Sequence, residues 1–145
     1  MLNFLKLYDE KTEFILFGNK CNISNAGSLS LNVNGSCITN VSKVRNLGAI
    51  LDSEMSMEKF VVFKCQSAMY YLRLIAKIRN LLDVDTTKTL ICALVTSRID
   101  YCNSLLIGIN TALLHRLQII QNSAARLISQ TSRRDHISPI LMELH

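Results

Sequence analysis

A chain of 145 residues that is 49% apolar and only 19% charged can build a packed core, which excludes a disordered polypeptide. No apolar run approaches the roughly 18 residues that cross a bilayer, and no basic segment followed by an apolar one marks a secretory signal, so an intracellular protein, cytoplasmic or nuclear and without a membrane partner, is expected. The net charge of +5 is unevenly spread: residues 1–55 hold five basic and five acidic side chains, whereas residues 56–145 hold eleven and six, so a polyanionic partner is favoured for the second part alone.

The first elements are short. Residues 1–7 suit the end of a helix, with Leu2, Phe4 and Leu5 on one face. Glu13 to Phe17 is an apolar and aromatic run stopped by Gly18-Asn19, which predicts a strand. Residues 19–27 are rich in Asn, Ser and Gly and predict a loop. Leu29-Ser30-Leu31-Asn32-Val33 alternates with period two, Asn34-Gly35 is a strong hairpin signal, and Cys37-Ile38-Thr39 is the return strand. Val44 to Leu51 predicts one further strand, with Gly48 as a bulge or a point of close backbone approach. Together these make a small antiparallel sheet.

Beyond Ser53 the period changes to that of helices. The first helix is predicted from about Ser56 to Leu82, with Phe60, Phe63, Ser67, Tyr71, Leu74, Ile78 and Leu82 on its apolar stripe and Lys59, Gln66, Arg73, Lys77 and Asn80 on another face. The second runs from about Thr86 to Leu106, with Asp85 as N-cap, a stripe of Ile91, Leu94, Arg98, Tyr101 and Leu105, and Gly108 beyond its end. The third runs from about Thr111 to Ser129 under an Asn110 cap, with Leu113 or Leu114, Leu117, Ile120, Ala124 and Leu127-Ile128 facing inward. Short connections imply antiparallel packing. Ser138-Pro139 then announces a last helix. The expected architecture is α+β: residues 1–55 a small antiparallel sheet, 56–132 an antiparallel three-helix bundle, 133–145 the start of a further helix.

Self-contained chemistry is not visible. The five cysteines Cys21, Cys37, Cys65, Cys92 and Cys102 are odd in number and form no C-x-x-C pair, which argues against a disulfide framework or a zinc site and for a reducing compartment. His115, His136 and His145 are too scattered to complete a ligand set. The glycines are isolated, and neither a nucleophile elbow nor an H-E-x-x-H pair occurs. Asp9-Glu10 precedes a strand, while Asp83 and Asp85 suit helix capping better than a pair of metal ions. The residues themselves predict neither an enzyme nor a cofactor.

Several strings nevertheless carry a likeness. "LKLYDEKTEFILFG" resembles the segment just after the catalytic aspartates in reverse transcriptases of LINE-type (non-LTR) retrotransposons. "VRNLGAILDSEMSM" is similar to the later strand and turn of those proteins. "SRIDYCNSLLIGI", "LHRLQIIQNSAARLI" and "HISPIL" resemble their downstream helices, above all in jockey-like and chicken-repeat-type elements. The resemblance covers nearly the whole chain in order. It implies the end of a palm followed by a thumb of an RNA-directed DNA polymerase, which would use divalent Mg or Mn. Lys11 then matches the palm-motif lysine near the incoming triphosphate, and Leu47-Gly48 the primer grip. Tyr8 stands where the family usually has Asn. The metal-binding aspartates of the family precede the matched region, so the resemblance implies a fragment without catalysis of its own.

For the charged residues two readings stay open. Lys11 by itself reads as a solvated turn lysine pairing with Asp9 or Glu13. Lys59, Arg73 and Lys77, with Arg133 and Arg134, suit a nucleic-acid backbone or an ordinary solvated helix face. Tyr70 and Tyr71 suit base stacking or core packing, and Arg98 needs a partner in Asp100 or a carbonyl. The functional expectations are a non-specific binder of RNA or DNA template–primer, or a helical interaction module that associates through an exposed sheet edge and apolar surface, or a remnant with no selected role.

Overall fold

Two dipeptides turn the chain back on itself in its N-terminal part. Asn34-Gly35 has φ of 52° and 91°, and Leu47-Gly48 has 46° and 88°. Consecutive left-handed residues of this kind match the twist of the strands they join. The computed structural model describes residues 11–132 and 134–144, and the side chains of all but the last two of these. The helix expected over residues 1–7, the acids Asp9 and Glu10, Tyr8, Arg133 and His145 lie outside the described residues.

The chain divides between Lys59 and Phe60 into two units. In the first, β1 (Phe14–Ile15), β2 (Ser30–Val33) and β3 (Ser36–Val41) form a sheet in the order β1-β3-β2, while β4 (Lys43–Asn46) and β5 (Ala49–Asp52) form a separate two-stranded ribbon. Three expectations need correction. The sheet is not wholly antiparallel, because β1 pairs in parallel with β3 through Phe14↔Asn40 and Ile15↔Val41. A parallel neighbour requires a crossover, and the intervening α1 (Lys20–Ala26) and β2 supply it. Residues 19–27 are therefore not a loop: Asn19 Oδ1 accepts from Asn22 N at 2.8 Å and caps a short polar helix. Nor is 44–51 one strand with a bulge, since Leu47-Gly48 is a hairpin tip with Asn46 facing Ala49.

Ser53 and Asp52 fasten this unit. Ser53 donates to the Ser42 carbonyl from both N and Oγ at 3.1 Å, and its own carbonyl accepts from Gly18 N at 3.1 Å. The Asp52 carboxylate accepts from Glu54 N, Ser56 N, Ser56 Oγ and Met57 N at 2.9–3.2 Å. These bonds hold Met55 and Met57 at φ of 53° and 56°, a left-handed conformation that such side chains adopt only when fixed from outside.

The long helix α2 (Glu58–Ile78) crosses the divide between the units. The second unit continues with a 3₁₀ turn (Arg79–Leu81), α3 (Val84–Ile91), a π turn (Cys92–Thr96), α4 (Ser97–Asp100), a second 3₁₀ turn (Asn103–Leu106), α5 (Thr111–Ser129) and α6 (Ser138–Leu144). Its core joins Val61, Ala68, Leu72 and Ile75 of α2 to Ile91, Val95 and Ile99, and to Leu113, Leu117, Ile120, Ala124 and Ile128 of α5. The architecture is α+β, small sheets followed by helices.

α5 begins and ends where its pattern predicts, with Asn110 Oδ1 accepting from Ala112 N at 2.8 Å. The other two stripes are displaced by one residue. On α2 the inward residues are Val61, Lys64, Ala68, Leu72, Ile75 and then Arg79, each one position after the predicted Phe60, Phe63, Ser67, Tyr71, Leu74 and Ile78. Phe60 is also buried, and Tyr71 and Leu82 pack half-buried against the core, whereas Phe63, Leu74 and Ile78 are exposed. On the second rod Val95 and Ile99 replace Leu94 and Arg98, because the π turn inserts an extra residue and rotates the positions after it. That rod starts at an Asp83 cap rather than Asp85 and stops at Asp100, where Cys102 turns left-handed at φ 56°.

Candidate nucleic-acid interface

The buried stripe of α2 carries a cation near each end. Lys64 is 3% exposed, and its Nζ donates to the Tyr101 carbonyl at 2.8 Å and to Asn103 Oδ1 at 3.4 Å, 4.9 Å from the centre of the Phe60 ring. Burial pulls its pKa below the usual lysine value, against the stabilising influence of Cys102, Asp100 and Cys65. Arg79 is 6% exposed and donates to three carbonyls at 2.8 Å: Leu127 from Nε, Leu82 from Nη1 and Ile128 from Nη2. Both cations thus sit on carbonyls that a helix end leaves open, those after α4 and those in the last turn of α5, where the helix dipole favours positive charge.

Two more cations serve structure. Arg98 donates to the Leu94 carbonyl at 2.8 Å and lies 4.0 Å over the Tyr71 ring, so the partner expected for it is a carbonyl together with an aromatic face. Arg126 donates to the carbonyls of Ser132 and Asp135. Lys64, Arg79, Arg98 and Arg126 are thus committed within the fold rather than available to a phosphate. The basic excess of the second part is therefore a weaker pointer to a polyanion than its total suggests.

The cations that remain on the surface include a converging pair. Arg73 on α2 and Arg116 on α5 both line a groove of about 520 Å³ between the two helices, whose floor includes Met69, Ile119 and Ile120 and whose edge carries Tyr70. Tyr70 is 58% exposed. Its ring meets that of Tyr71 edge-on at 5.2 Å and 83°, and Tyr71 is in turn held under Arg98. Cys65, also in the groove, has its thiol pKa raised by burial, with Arg116 and then Lys64 opposing. Lys77 is exposed one helical turn beyond Arg73. A larger groove of about 990 Å³ runs along the π turn and α5 to Leu141 of α6, but among the described residues Lys88 is the one charged side chain that lines it.

The other sequence-predicted residues are not gathered here. Lys59 is exposed and belongs to the first unit. Arg134 is exposed, its N–H donating to Ser132 Oγ at 3.3 Å, and Arg133 lies outside the described residues. Lys11 is exposed just ahead of β1, and Leu47-Gly48 forms the tip of the β4–β5 hairpin, with Leu47 85% exposed. Arg116 is not singled out by the sequence, because a groove between helices brings together residues 43 positions apart that no single-helix pattern relates. Lys64 and Arg79 do leave a signal, as they fall on the same three- and four-residue steps as Ala68, Leu72 and Ile75.

Among the described residues no three His, Cys, Asp or Glu side chains form a group that could hold a metal ion, and no helix is long and apolar enough to cross a membrane. No protein-family model, curated protein or solved structure matches this chain.

Proposed function

We propose that this chain corresponds to the palm end and thumb of an RNA-directed DNA polymerase of a non-LTR retrotransposon, acting inside the cell, in the cytoplasm or nucleus. By itself it binds nucleic acid with little sequence preference and does not polymerise. The sequence likeness from "YDEKTEFILFG" to "HISPIL" supports the origin, as does the order of small sheets before helices. The observation that carries the binding role is the pair Arg73 and Arg116, presented from different helices to one groove. Guanidinium groups are well suited to phosphate oxygens. Lys77 adds a third cation on the same side of α2 as Arg73.

In the family the metal-binding aspartates precede the segment that Lys11 matches, and it is there that the parent polymerase would hold Mg or Mn. The exposed, left-handed Leu47 at the β4–β5 tip is consistent with a primer-grip origin. Affinity for a labelled RNA–DNA duplex, measured by anisotropy from low to physiological salt, should fall steeply. The slope should flatten by about one for each phosphate no longer neutralised in Arg73→Gln, Lys77→Gln and Arg116→Gln. Binding that ignores salt, or survives the triple change intact, removes this reading. Primer extension with Mg or Mn should be absent.

One observation favours a second reading, a helical interaction module. Phe63, Tyr70, Leu74 and Ile78 leave an exposed apolar face on α2. Sedimentation of a monomer at high concentration would count against self-association through it.

A further inference from the structure

We infer that the groove between α2 and α5 takes an unpaired nucleotide, so that the preferred ligand of this chain is single-stranded nucleic acid rather than duplex; this rests on the nucleic-acid reading above and names its substrate class. Three features of the groove point the same way.

First, its floor is apolar. Met69, Ile119 and Ile120 line it, and Ile119 remains 43% exposed. A duplex offers its outer surface, which is phosphate, sugar and base edges, while its base faces are stacked inside. Pressing that polar surface onto apolar side chains desolvates both without a compensating bond. The face of an unpaired base is flat and apolar, and it fits such a floor.

Second, an aromatic platform stands at the edge and is braced from behind. Tyr70 is 58% exposed, and its ring is set by the edge-on contact with Tyr71 at 5.2 Å. Tyr71 is fixed by the Arg98 guanidinium 4.0 Å over its ring, and Arg98 is itself tied to the Leu94 carbonyl. A ring that is already oriented loses little freedom when a base stacks on it. Stacking of this kind tolerates any base, which suits a binder without sequence preference.

Third, the charge is complementary and two-sided. Arg73 and Arg116 rise from opposite helices beside the apolar floor. A backbone running along the groove meets a guanidinium on each wall while the base turns inward. The groove volume, about 520 Å³, lies in the range of sites for small ligands. An acidic amphipathic peptide shares the charge pattern, but has no need of the braced Tyr70 ring.

The test uses the full chain and four probes at one moderate salt concentration: a 20-nucleotide oligothymidine, a 20-base-pair duplex, a 20-residue abasic strand and polyglutamate. Oligothymidine should bind about tenfold more tightly than the abasic strand, and more tightly than the duplex. Tyr70→Ala should lose about tenfold on oligothymidine and leave the duplex and the abasic strand unchanged, while Tyr70→Phe keeps the wild-type affinity. Circular dichroism checks that Tyr70→Ala is folded, and Lys88→Gln, outside this groove, serves as the charge control. Duplex binding equal to or tighter than single strand, or an inert Tyr70→Ala, overturns the inference. In that outcome duplex affinity that still depends on Arg73 and Arg116 leaves the broader reading standing. Absence of binding to every nucleic-acid probe removes both. Polyglutamate that competes as well as oligothymidine overturns the inference in favour of an acidic protein partner.

Discussion

Arg79 Nη2 donates to the carbonyl of Ile128 at 2.8 Å, joining the exit of α2 to the last turn of α5 across 49 residues of sequence. The same guanidinium takes the Leu127 carbonyl, so it does for α5 what a glycine-based C-cap does elsewhere. α5 ends at Gln130 in the left-handed conformation, φ 54°, and two of its terminal carbonyls point at Arg79 instead of at the following backbone. The Arg79 fork thus adds a polar tie to the apolar packing that joins α2 to α5.

Arg79→Met should destabilise the unit by about 2–4 kcal/mol, because three carbonyls lose a charged donor in a buried setting. Arg79→Lys should recover only part of this, since an ammonium cannot serve three acceptors in the plane of a guanidinium. Urea unfolding followed by helical circular dichroism reads both. Equal midpoints for the wild type and Arg79→Met would show that water replaces the arginine without loss.

Lys64 gives a prediction in pH. Its folded pKa lies below 10.5, so between those two values the unfolded chain carries a proton that the folded chain has released. Stability from this group must then rise with pH through that window, and be constant below it, where both states are protonated. The difference in stability between wild type and Lys64→Met should shift in favour of the wild type as pH approaches 10.5. Cys65, whose folded pKa is raised, gives a slope of opposite sign, and because Lys64 holds that thiol down, its removal steepens the fall in the variant and moves the difference the same way. A pH-independent difference would mean that the Lys64 amine releases its proton over the same pH range folded and unfolded.

These two cations also explain which parts of the fold are legible in the sequence. Asn34-Gly35 and the helix over residues 111–129 can be read directly, because their local chemistry and their place in the fold agree. The α2 stripe is displaced by one residue because Lys64 and Arg79 occupy inward positions while Phe63, Leu74 and Ile78 face outward. Weighing hydrophobicity alone then selects the neighbouring stripe. On the second rod the π turn does the displacing, and no residue in "CALVT" announces it. The parallel β1–β3 pairing and the Arg73–Arg116 groove are hidden for another reason, being relations between distant segments.

The Leu47-Gly48 turn is strained where Asn34-Gly35 is not. Both have the same backbone signs, but leucine in the left-handed region crowds its Cβ against the carbonyl. Leu47 is 85% exposed, so little packing is lost on replacement. Leu47→Asn should stabilise the first unit by about 0.5–1 kcal/mol and raise hydrogen-exchange protection along β4 and β5. Unchanged or lower protection would mean that Leu47 makes an interaction that outweighs its strain.

The π turn gives the sharpest test of register. Thr87, Ile91, Val95 and Ile99 all face inward at steps of four, a spacing that drifts around a regular α-helix by about 40° per step. The drift is taken up by the wider π turn between Cys92 and Thr96. Deleting Ala93, which is exposed, shortens the step from Ile91 to Val95 to three and lets a regular helix keep Ile91, Val95 and Ile99 on one face. Stability should then change by about 1 kcal/mol or less, even though the bond from Ser97 Oγ to the Ala93 carbonyl must find another acceptor. Deleting the equally exposed Gln118 from α5 has no wider turn to absorb it and rotates Ile120, Ala124 and Ile128 out of the core, at a cost of several kcal/mol or loss of folding. Thermal unfolding of the two deletion variants side by side decides the matter. If removing Ala93 is as damaging as removing Gln118, the register is held by interactions on the outer face of the rod and not by its buried stripe.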